Sequence, residues 1–316
     1  MTTTMQTDPR LSRFSPLSRI LCYDDFDEGL HGWSPLIGNY ERSLGSILPE
    51  YQDLRPPMLS NLTMWDTGTA GSMEGTYALK LATRPEEGSL AVGIKRQTFR
   101  QLGKIQLECY FTFKPEARDL QLGEIDVRAA GVLFDIQDGE GEGAQRWMPH
   151  LRYLNGLKGE RVARWQTKPE TRAMRAIGDS GKTVSHFHLG AEGWQDVPGE
   201  PQQLCYNEIA TKMNWHYLRV GIDLRERAFT GFQCNDRVYG PAQMRPIRMK
   251  AMANLWCMLN VLFWCEADTD KRAFLYLDSV LLSGELHGDL VGDSAASVTA
   301  SIDPVDDPRL RMPGQG

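Results

Sequence analysis

Residues 105–114 read IQLECYFTFK, and this stretch decides the fold class. Its apolar side chains stand at every second position, at Ile105, Leu107, Cys109, Phe111 and Phe113. Successive side chains of a β-strand point to opposite faces of a sheet, so this alternation predicts a strand with one buried face. We therefore expect a sheet that packs one face on a core.

The same alternation recurs along the chain, and turn residues separate most of the runs. These runs lie at 77–82, 90–97, 132–137, 150–154, 184–189, 216–223, 228–233, 255–266 and 275–282. Helical periodicity is weaker and predicts only short helices at 16–22, 207–213 and 243–254. Strands and helices do not alternate as a doubly wound sheet requires. We expect an all-β protein: an antiparallel β-sandwich (jelly roll) with long loops and a few short helices.

We place a single sandwich domain at 21–287, between an N-terminal extension (1–20) and a C-terminal tail (288–316) rich in Asp, Ser, Ala, Gly and Pro. The loops at 38–76 and 190–206 are long, and loops of that length in a compact domain are usually functional. These loops and the tail are the segments through which we expect a homo-oligomer to form.

Composition excludes several classes of function. The 316 residues carry 35 Lys and Arg against 41 Asp and Glu, a formal charge of −6, which disfavours nucleic acid and anionic membranes as partners. The sequence has no signal-peptide core and no apolar run of about 18 residues, so we expect no membrane span. Its six cysteines form no CxxC pair. Scattered cysteines in apolar runs predict free thiols in a cytoplasmic protein.

Three phrases carry a resemblance to a known superfamily. They are YDDFDEG at 23–29 followed by Gly32-Trp33, WHYLRV at 215–220 followed by Asp223, and FLYLDSVLL at 274–282. Over about residues 21–285 this pattern resembles the concanavalin A-like lectin/glucanase jelly rolls. The resemblance implies carbohydrate binding, and a structural calcium ion that ties the first and last strands together. Asp25 and Asp278 match its carboxylate ligands, and calcium takes six to eight oxygen atoms.

A histidine pair supports a different metal. His186-Phe187-His188 lies in a strand-like run, which places both imidazoles on one face, and Glu192 and Gly199 follow. This spacing resembles half of the first cupin motif and predicts a divalent transition metal held by His186, His188 and Glu192. However, Ser180 stands where the motif needs glycine, and a second motif is missing. The competing interpretation is a pair of hydrogen-bonded histidines on a polar sheet face.

Two further motifs are rejected on their context. GEIDVR at 123–128 is similar to the E-x-D-x-x-E signature of family-16 glucanases, but Arg128 and two alanines stand where the last carboxylate is needed. AIGDSGKT at 176–183 fits a loose phosphate-binding loop. Such a loop should follow a buried strand and open a helix, and neither is predicted there. We therefore expect no nucleotide cofactor.

Polar residues at alternate strand positions predict a wet groove that binds a small saccharide or glycoside. A sugar docks on aromatic rings while its hydroxyls take hydrogen bonds from polar side chains. The predicted substrate-binding residues are Trp264, Asp135, Gln137 and Asn260, and the predicted catalytic residues are His188, His186, Arg152, His150 and Glu266. The other interpretation is that these faces point to bulk solvent or to a partner subunit.

We interpret the chain as a carbohydrate-acting protein, a glycoside hydrolase or lyase. Related jelly-roll families act on oxidised glycosides such as 3-keto sugars, where elimination needs a base and a cation to hold the enolate. Two alternatives stay open. One is a non-catalytic carbohydrate-binding module with structural calcium, and the other is a cupin-like metalloenzyme.

Overall fold

The computed structural model describes residues 9–35, 56–60, 71–117, 122–123, 125–139, 144–170, 174–175, 183–184, 189–204, 213–251 and 257–290. These residues form two large antiparallel sheets that pack as a sandwich, with one short 3-10 helix at Pro9–Leu11. A separate two-stranded sheet joins β11 (Met174–Arg175) to β12 (Thr183–Val184). The predicted all-β antiparallel sandwich is confirmed.

The first sheet contains the first and the last strand of the sandwich, β1 and β19. Its eight strands are β1 (Arg19–Asp24), β3 (Met58–Ser60), β4 (Ala78–Ala82), β6 (Gln101–Pro115), β14 (His216–Asp223), β15 (Ala228–Cys234), β16 (Arg237–Tyr239) and β19 (Ala273–Leu290). The main order is β16-β15-β14-β6-β19-β4-β3, and β1 pairs with β19. The stretch at 105–114 lies inside β6, as its alternation predicts.

The second sheet carries the polar residues of the predicted groove. Its nine strands are β2 (Trp33–Pro35), β5 (Leu90–Thr98), β7 (Val127–Gln137), β8 (Gln145–Met148), β9 (His150–Leu157), β10 (Glu160–Thr167), β13 (Gln195–Asp196), β17 (Ile247–Lys250) and β18 (Met258–Ala267). The main order is β13-β10-β9-β7-β18-β5-β2. Strands β9, β7 and β18 therefore lie side by side in its centre.

One hydrophobic core lies between the two sheets. It joins side chains such as Leu107 and Phe111 of the first sheet to Phe134, Tyr153 and others of the second. Burial of this apolar surface provides the main favourable free energy of folding. The opposite face of the nine-stranded sheet carries a smaller apolar cluster around Trp264. This second face, which we call the outer face, is the one that bears the predicted groove residues.

Two of the three predicted helices are wrong. Residues 19–24 form β1, in which Tyr23 pairs with Leu281, and residues 247–250 form β17, in which Ile247 pairs with Met148. Pairing with a neighbouring strand overrides the weak helical periodicity of these short segments. Of the third predicted helix, residues 207–212 lie outside the described residues, and so do residues 185–188 of the strand predicted at 184–189.

The described strands run from Arg19 to Leu290, slightly beyond the predicted domain limits of 21 and 287. Before them, Leu11 and Phe14 are buried against Leu281 on the first sheet. The backbone amide of Ser15 donates to Glu108 at 2.8 Å. Within the part of the chain described, no helix has the length and apolar character needed to cross a membrane.

Candidate functional site

The central strands place the predicted polar residues on one face, because directly paired residues of neighbouring strands point the same way. Gly131 of β7 pairs with Arg152 of β9 on one side and with Trp264 of β18 on the other. Glu266 lies two residues beyond Trp264 on the same strand, so it shares this face. The residues of the predicted groove are all buried: Asp135, Gln137, His150, Arg152, Asn260, Trp264 and Glu266.

Gly131 allows the side chains on either side of it to come together. A Cβ atom at this position would lie 2.9 Å from Trp264 Cε2, 3.0 Å from Arg152 Cβ and 2.7 Å from the carbonyl oxygen of Leu151. Such contacts are shorter than a carbon atom tolerates. The lack of a side chain therefore lets the indole of Trp264 lie across β7 toward Arg152.

Trp194 covers this place from a loop. Its ring lies 5.7 Å from that of Trp264, and the Arg152 guanidinium stands 4.1 Å from its centre. The carbonyl oxygen of Gly190 accepts hydrogen bonds from Trp194 Nε1 at 2.9 Å and from Lys168 Nζ at 2.8 Å. Trp264, predicted to bind substrate, is fully buried here, so its ring is not an open surface on which a sugar docks. We call Arg152, Lys168, Trp194, Trp264 and Glu266 the Arg152 cluster.

Arg152 is held by one of its three nitrogen atoms. Its Nε donates to Gln166 Oε1 at 2.8 Å, and Gln166 Nε2 donates in turn to Asp196 Oδ1 at 2.8 Å. Its Nη1 lies 3.9 Å from Glu266 Oε2, an ion-pair distance too long for a hydrogen bond. Among the residues that the structure describes, the two terminal nitrogens of Arg152 make no hydrogen bond, although the residue is only 6% exposed.

Glu266 is anchored by Arg128. Arg128 Nη1 donates to Glu266 Oε1 at 2.8 Å, and the same guanidinium binds Asp268 at 2.6 Å and Glu87 at 2.9 Å. The other oxygen, Glu266 Oε2, is buried, and so is Trp264 Nε1. Neither atom has a hydrogen-bond partner in the described part of the chain. Within the described ranges, the cluster thus presents an acceptor and several donors without hydrogen-bond partners.

Burial shifts the titration of these groups. It raises the pKa of Glu266 above its ordinary value, against the opposing charges of Arg128 and Arg152. Burial, together with the charge of Arg152, lowers the pKa of Lys168 to about 8. Burial also lowers the pKa of Arg152, to about 10, so the guanidinium stays protonated at neutral pH. General acid–base catalysis needs pKa values near the working pH, and Lys168 approaches that condition.

His150 lies beside the cluster, with its ring 5.9 Å from that of Trp194. Its Nδ1 is 2.9 Å from the carbonyl oxygen of Met148. Because a carbonyl oxygen only accepts, Nδ1 carries a hydrogen and donates this bond.

Asp135, Gln137 and Asn260 belong to another part of the same face. Asp135 pairs with Asn260 across the strands and accepts two hydrogen bonds from Arg146, at 2.7 and 2.8 Å. Gln137 Nε2 donates to the Gly139 carbonyl at 3.3 Å. Because Asp135 stands four residues along β7 from Gly131, it lies about 13 Å from the middle of the Arg152 cluster. The structure does not bring these three residues together with Arg152.

The two aspartates of the predicted calcium site have other partners. Asp278 Oδ2 accepts hydrogen bonds from the backbone amides of Met73 and Glu74 at 2.6 and 3.3 Å, and burial raises its pKa to about 6. Asp25 Oδ2 pairs with Arg10 Nη1 at 2.8 Å. Calcium at Asp25 and Asp278 stays a prediction. Elemental analysis of the protein and of Asp278→Asn would test it.

The transition-metal prediction is also open. His186 and His188 lie outside the described residues, and Glu192 is exposed on the loop that carries Trp194. Within the described ranges, no three His, Cys, Asp or Glu side chains are grouped so that they could hold a metal ion.

Four residues at or beside the cluster were not predicted as site residues from the sequence: Lys168, Trp194, Arg128 and Gln166. Trp194 had one usable signal, since it is an aromatic residue in a long loop, where binding residues are common. Lys168 follows directly after β10 and had no signal of its own.

A family model described as Domain of unknown function (DUF6772) matches residues 1–286. A search of curated proteins found no significant match.

Among solved structures, the chain is similar to the carbohydrate recognition domain of Emp47p at 10% identity, covering 86% of this chain and 99% of that one with a TM-score of 0.37. Basic winged bean lectin in complex with Tn-antigen shares 12% identity over 73% of this chain and 93% of that one, with a TM-score of 0.35. Alginate lyase Aly36B with alginate trisaccharide shares 11% identity over 72% and 98%, with a TM-score of 0.35.

Proposed function

The chain belongs to the family described as Domain of unknown function (DUF6772), and we propose that it is a carbohydrate-acting protein. In this proposal, a saccharide binds at the Arg152 cluster on the outer face of the nine-stranded sheet. The protein then processes the saccharide by proton transfer, as a lyase does.

The observation that carries this proposal is a set of polar atoms without hydrogen-bond partners among the described residues. Trp264 Nε1 and Glu266 Oε2 are buried and unpaired, and beside them Nε is the one Arg152 nitrogen with a hydrogen bond to a described residue. Buried polar atoms are nearly always paired, because an unpaired one costs about 1–3 kcal/mol. A saccharide carries hydroxyl groups that both donate and accept, and Trp194 adds an aromatic surface beside them.

The arrangement favours elimination over hydrolysis. Canonical glycoside hydrolysis uses two carboxyl groups on either side of one bond, at most about 10 Å apart. The predicted carboxylates, Glu266 and Asp135, are about 20 Å apart, because Glu266 faces Ala129 and Asp135 stands six residues along β7. Elimination needs a base for an acidified C–H and a cation for the enolate that forms. The neutral amine of Lys168, whose pKa lies near 8, takes the proton from the acidified C–H, and Arg152 stabilises the enolate. The C–O bond on the neighbouring carbon then breaks to form the alkene, and the Lys168 ammonium returns its proton to the leaving oxygen.

The test is turnover of a panel of glycosides that includes oxidised and uronate sugars, followed by the ultraviolet absorbance of an unsaturated product. We expect Lys168→Met to lower turnover by about 10²- to 10⁴-fold while saccharide binding persists. Lys250→Met, at an exposed position on β17, is the matched control and should leave turnover unchanged. Binding without turnover of any compound would indicate a binding module. Failure of every saccharide to bind would overturn the proposal.

A further inference from the structure

We propose that the saccharide carries a carboxylate and that the terminal nitrogens of Arg152 bind it. This inference rests on the proposed function and names the class of ligand: a sugar acid rather than a neutral sugar.

Arg152 is held through a single nitrogen of its guanidinium. Gln166 uses only Nε of the guanidinium, and Asp196 fixes Gln166 from behind. This chain of hydrogen bonds sets the plane of the guanidinium. It leaves both terminal nitrogens available as a planar fork, which matches the two oxygens of a carboxylate.

The buried positive charge of Arg152 has no carboxylate in direct hydrogen-bond contact among the described residues. A buried cation is costly unless an anion and hydrogen bonds compensate for it. Glu266 is the nearest carboxylate, at 3.9 Å, but its other oxygen is already committed to Arg128. Lys168 adds a second positive charge nearby, and the charge of Arg152 disfavours the protonated form of Lys168. A ligand carboxylate compensates the buried charge of Arg152, whereas a hydroxyl group carries no charge to do so.

The position of Glu266 beside Arg152 favours a ligand carboxylate over a sulfate or phosphate group. Glu266 Oε2 is a buried acceptor close to Arg152, so the ligand must present a donor there. A tetrahedral anion on the fork would direct a further charged oxygen toward this carboxylate, which like charges oppose. A sugar carboxylate uses both oxygens on the fork, and a hydroxyl on a neighbouring carbon then donates to Glu266.

The experiment is isothermal titration calorimetry of the full chain with trisaccharides of galacturonate, mannuronate and guluronate, with their methyl esters, and with a sulfated neutral trisaccharide. The methyl ester removes the charge and keeps the shape of the sugar. We expect at least one acid to bind about tenfold or more tightly than its ester. Arg152→Gln should abolish this preference. Arg161→Gln is the matched control on the neighbouring strand, since Arg161 is exposed there, and it should keep the preference.

The other outcomes are distinguishable. Equal binding of acid and ester would overturn this inference and leave the proposed function standing. Tighter binding of the sulfated sugar would also overturn it, in favour of another anion. Failure of every saccharide to bind would overturn both proposals. If Arg152→Gln does not fold, Arg152→Lys keeps the charge but loses the fork, and the preference should still fall by about tenfold or more.

Discussion

Arg152 Nη1 and Glu266 Oε2 face each other at 3.9 Å, and no hydrogen bond joins them. Each side chain is held back by a different partner: Gln166 binds Arg152, and Arg128 binds Glu266. Opposite charges at this distance in a buried place would normally close into a direct pair. Their partners therefore keep this donor and this acceptor apart.

Arg128 is the residue on which this arrangement most depends for stability. It is the centre of three ion pairs, with Glu266, Asp268 and Glu87, and the first two carboxylates are buried. Arg128→Leu would leave them uncompensated, so we expect the free energy of unfolding to fall by about 3–5 kcal/mol. Urea unfolding monitored by circular dichroism measures this. Arg164→Leu, which removes an exposed arginine, should cost about 1 kcal/mol or less; equal losses for the two variants would contradict the assignment.

Gly131 determines whether the cluster can pack at all. Gly131→Ala places a methyl group 2.9 Å from Trp264 Cε2 and 2.7 Å from a backbone oxygen. We expect a loss of about 1–3 kcal/mol in the free energy of unfolding, and weaker saccharide binding, because the indole must shift away from Arg152. At Gly240 the same substitution meets nothing within 4 Å. Gly240→Ala is therefore the control, and a similar loss there would show that the cost is not steric.

The sequence predicted the faces of the strands but not their register. Alternation predicted which residues of a single strand share a face, such as Trp264 and Glu266 of β18, since side chains repeat every two residues along a strand. The distance between residues on different strands depends on how the strands slide past one another, and the pattern of a single strand contains no such information. For this reason the predicted groove included Asp135, which lies opposite Asn260 and away from the cluster.

Residues that enter the cluster from outside the regular pattern escaped prediction. Trp194 lies in a loop and Lys168 at the end of a strand, where no periodicity indicates direction. Arg128 was the residue that excluded a glucanase motif, and the structure shows that it organises the carboxylates of Glu266 and Asp268 instead. Long-range ion pairs of this kind, 138 residues apart in the chain, have no local signature.

Trp194 should act as the cover of Trp264. Trp194→Ala removes the ring that packs on Trp264 and on the Arg152 guanidinium. We expect acrylamide to quench the remaining tryptophan fluorescence more strongly and the emission to shift to longer wavelength, because Trp264 gains contact with water. Trp215→Ala is the control, since Trp215 packs on the outer face of the other sheet. If both variants quench alike, Trp194 is not the cover.

Lys168 makes stability depend on pH in a direction that can be worked out. Burial lowers its pKa to about 8 in the folded protein, whereas an unfolded lysine titrates near 10.4. Between about pH 8 and 10.4 the unfolded chain therefore holds a proton that the folded chain has released, and folding becomes more favourable as pH rises. Below pH 8 Lys168 is protonated in both the folded and the unfolded state, so its titration no longer changes the free energy of unfolding.

We therefore expect the stability of the wild type, measured relative to Lys168→Met, to increase between pH 7 and pH 10. Urea unfolding of both proteins across this range gives the difference at each pH, and other titrating groups cancel in it to the extent that they do not contact Lys168. Lys250→Met, at an exposed position, should differ from the wild type by the same amount at every pH. A constant difference for Lys168→Met as well would mean that Lys168 remains charged in the folded protein throughout, and it would remove this lysine as the base of the proposed elimination.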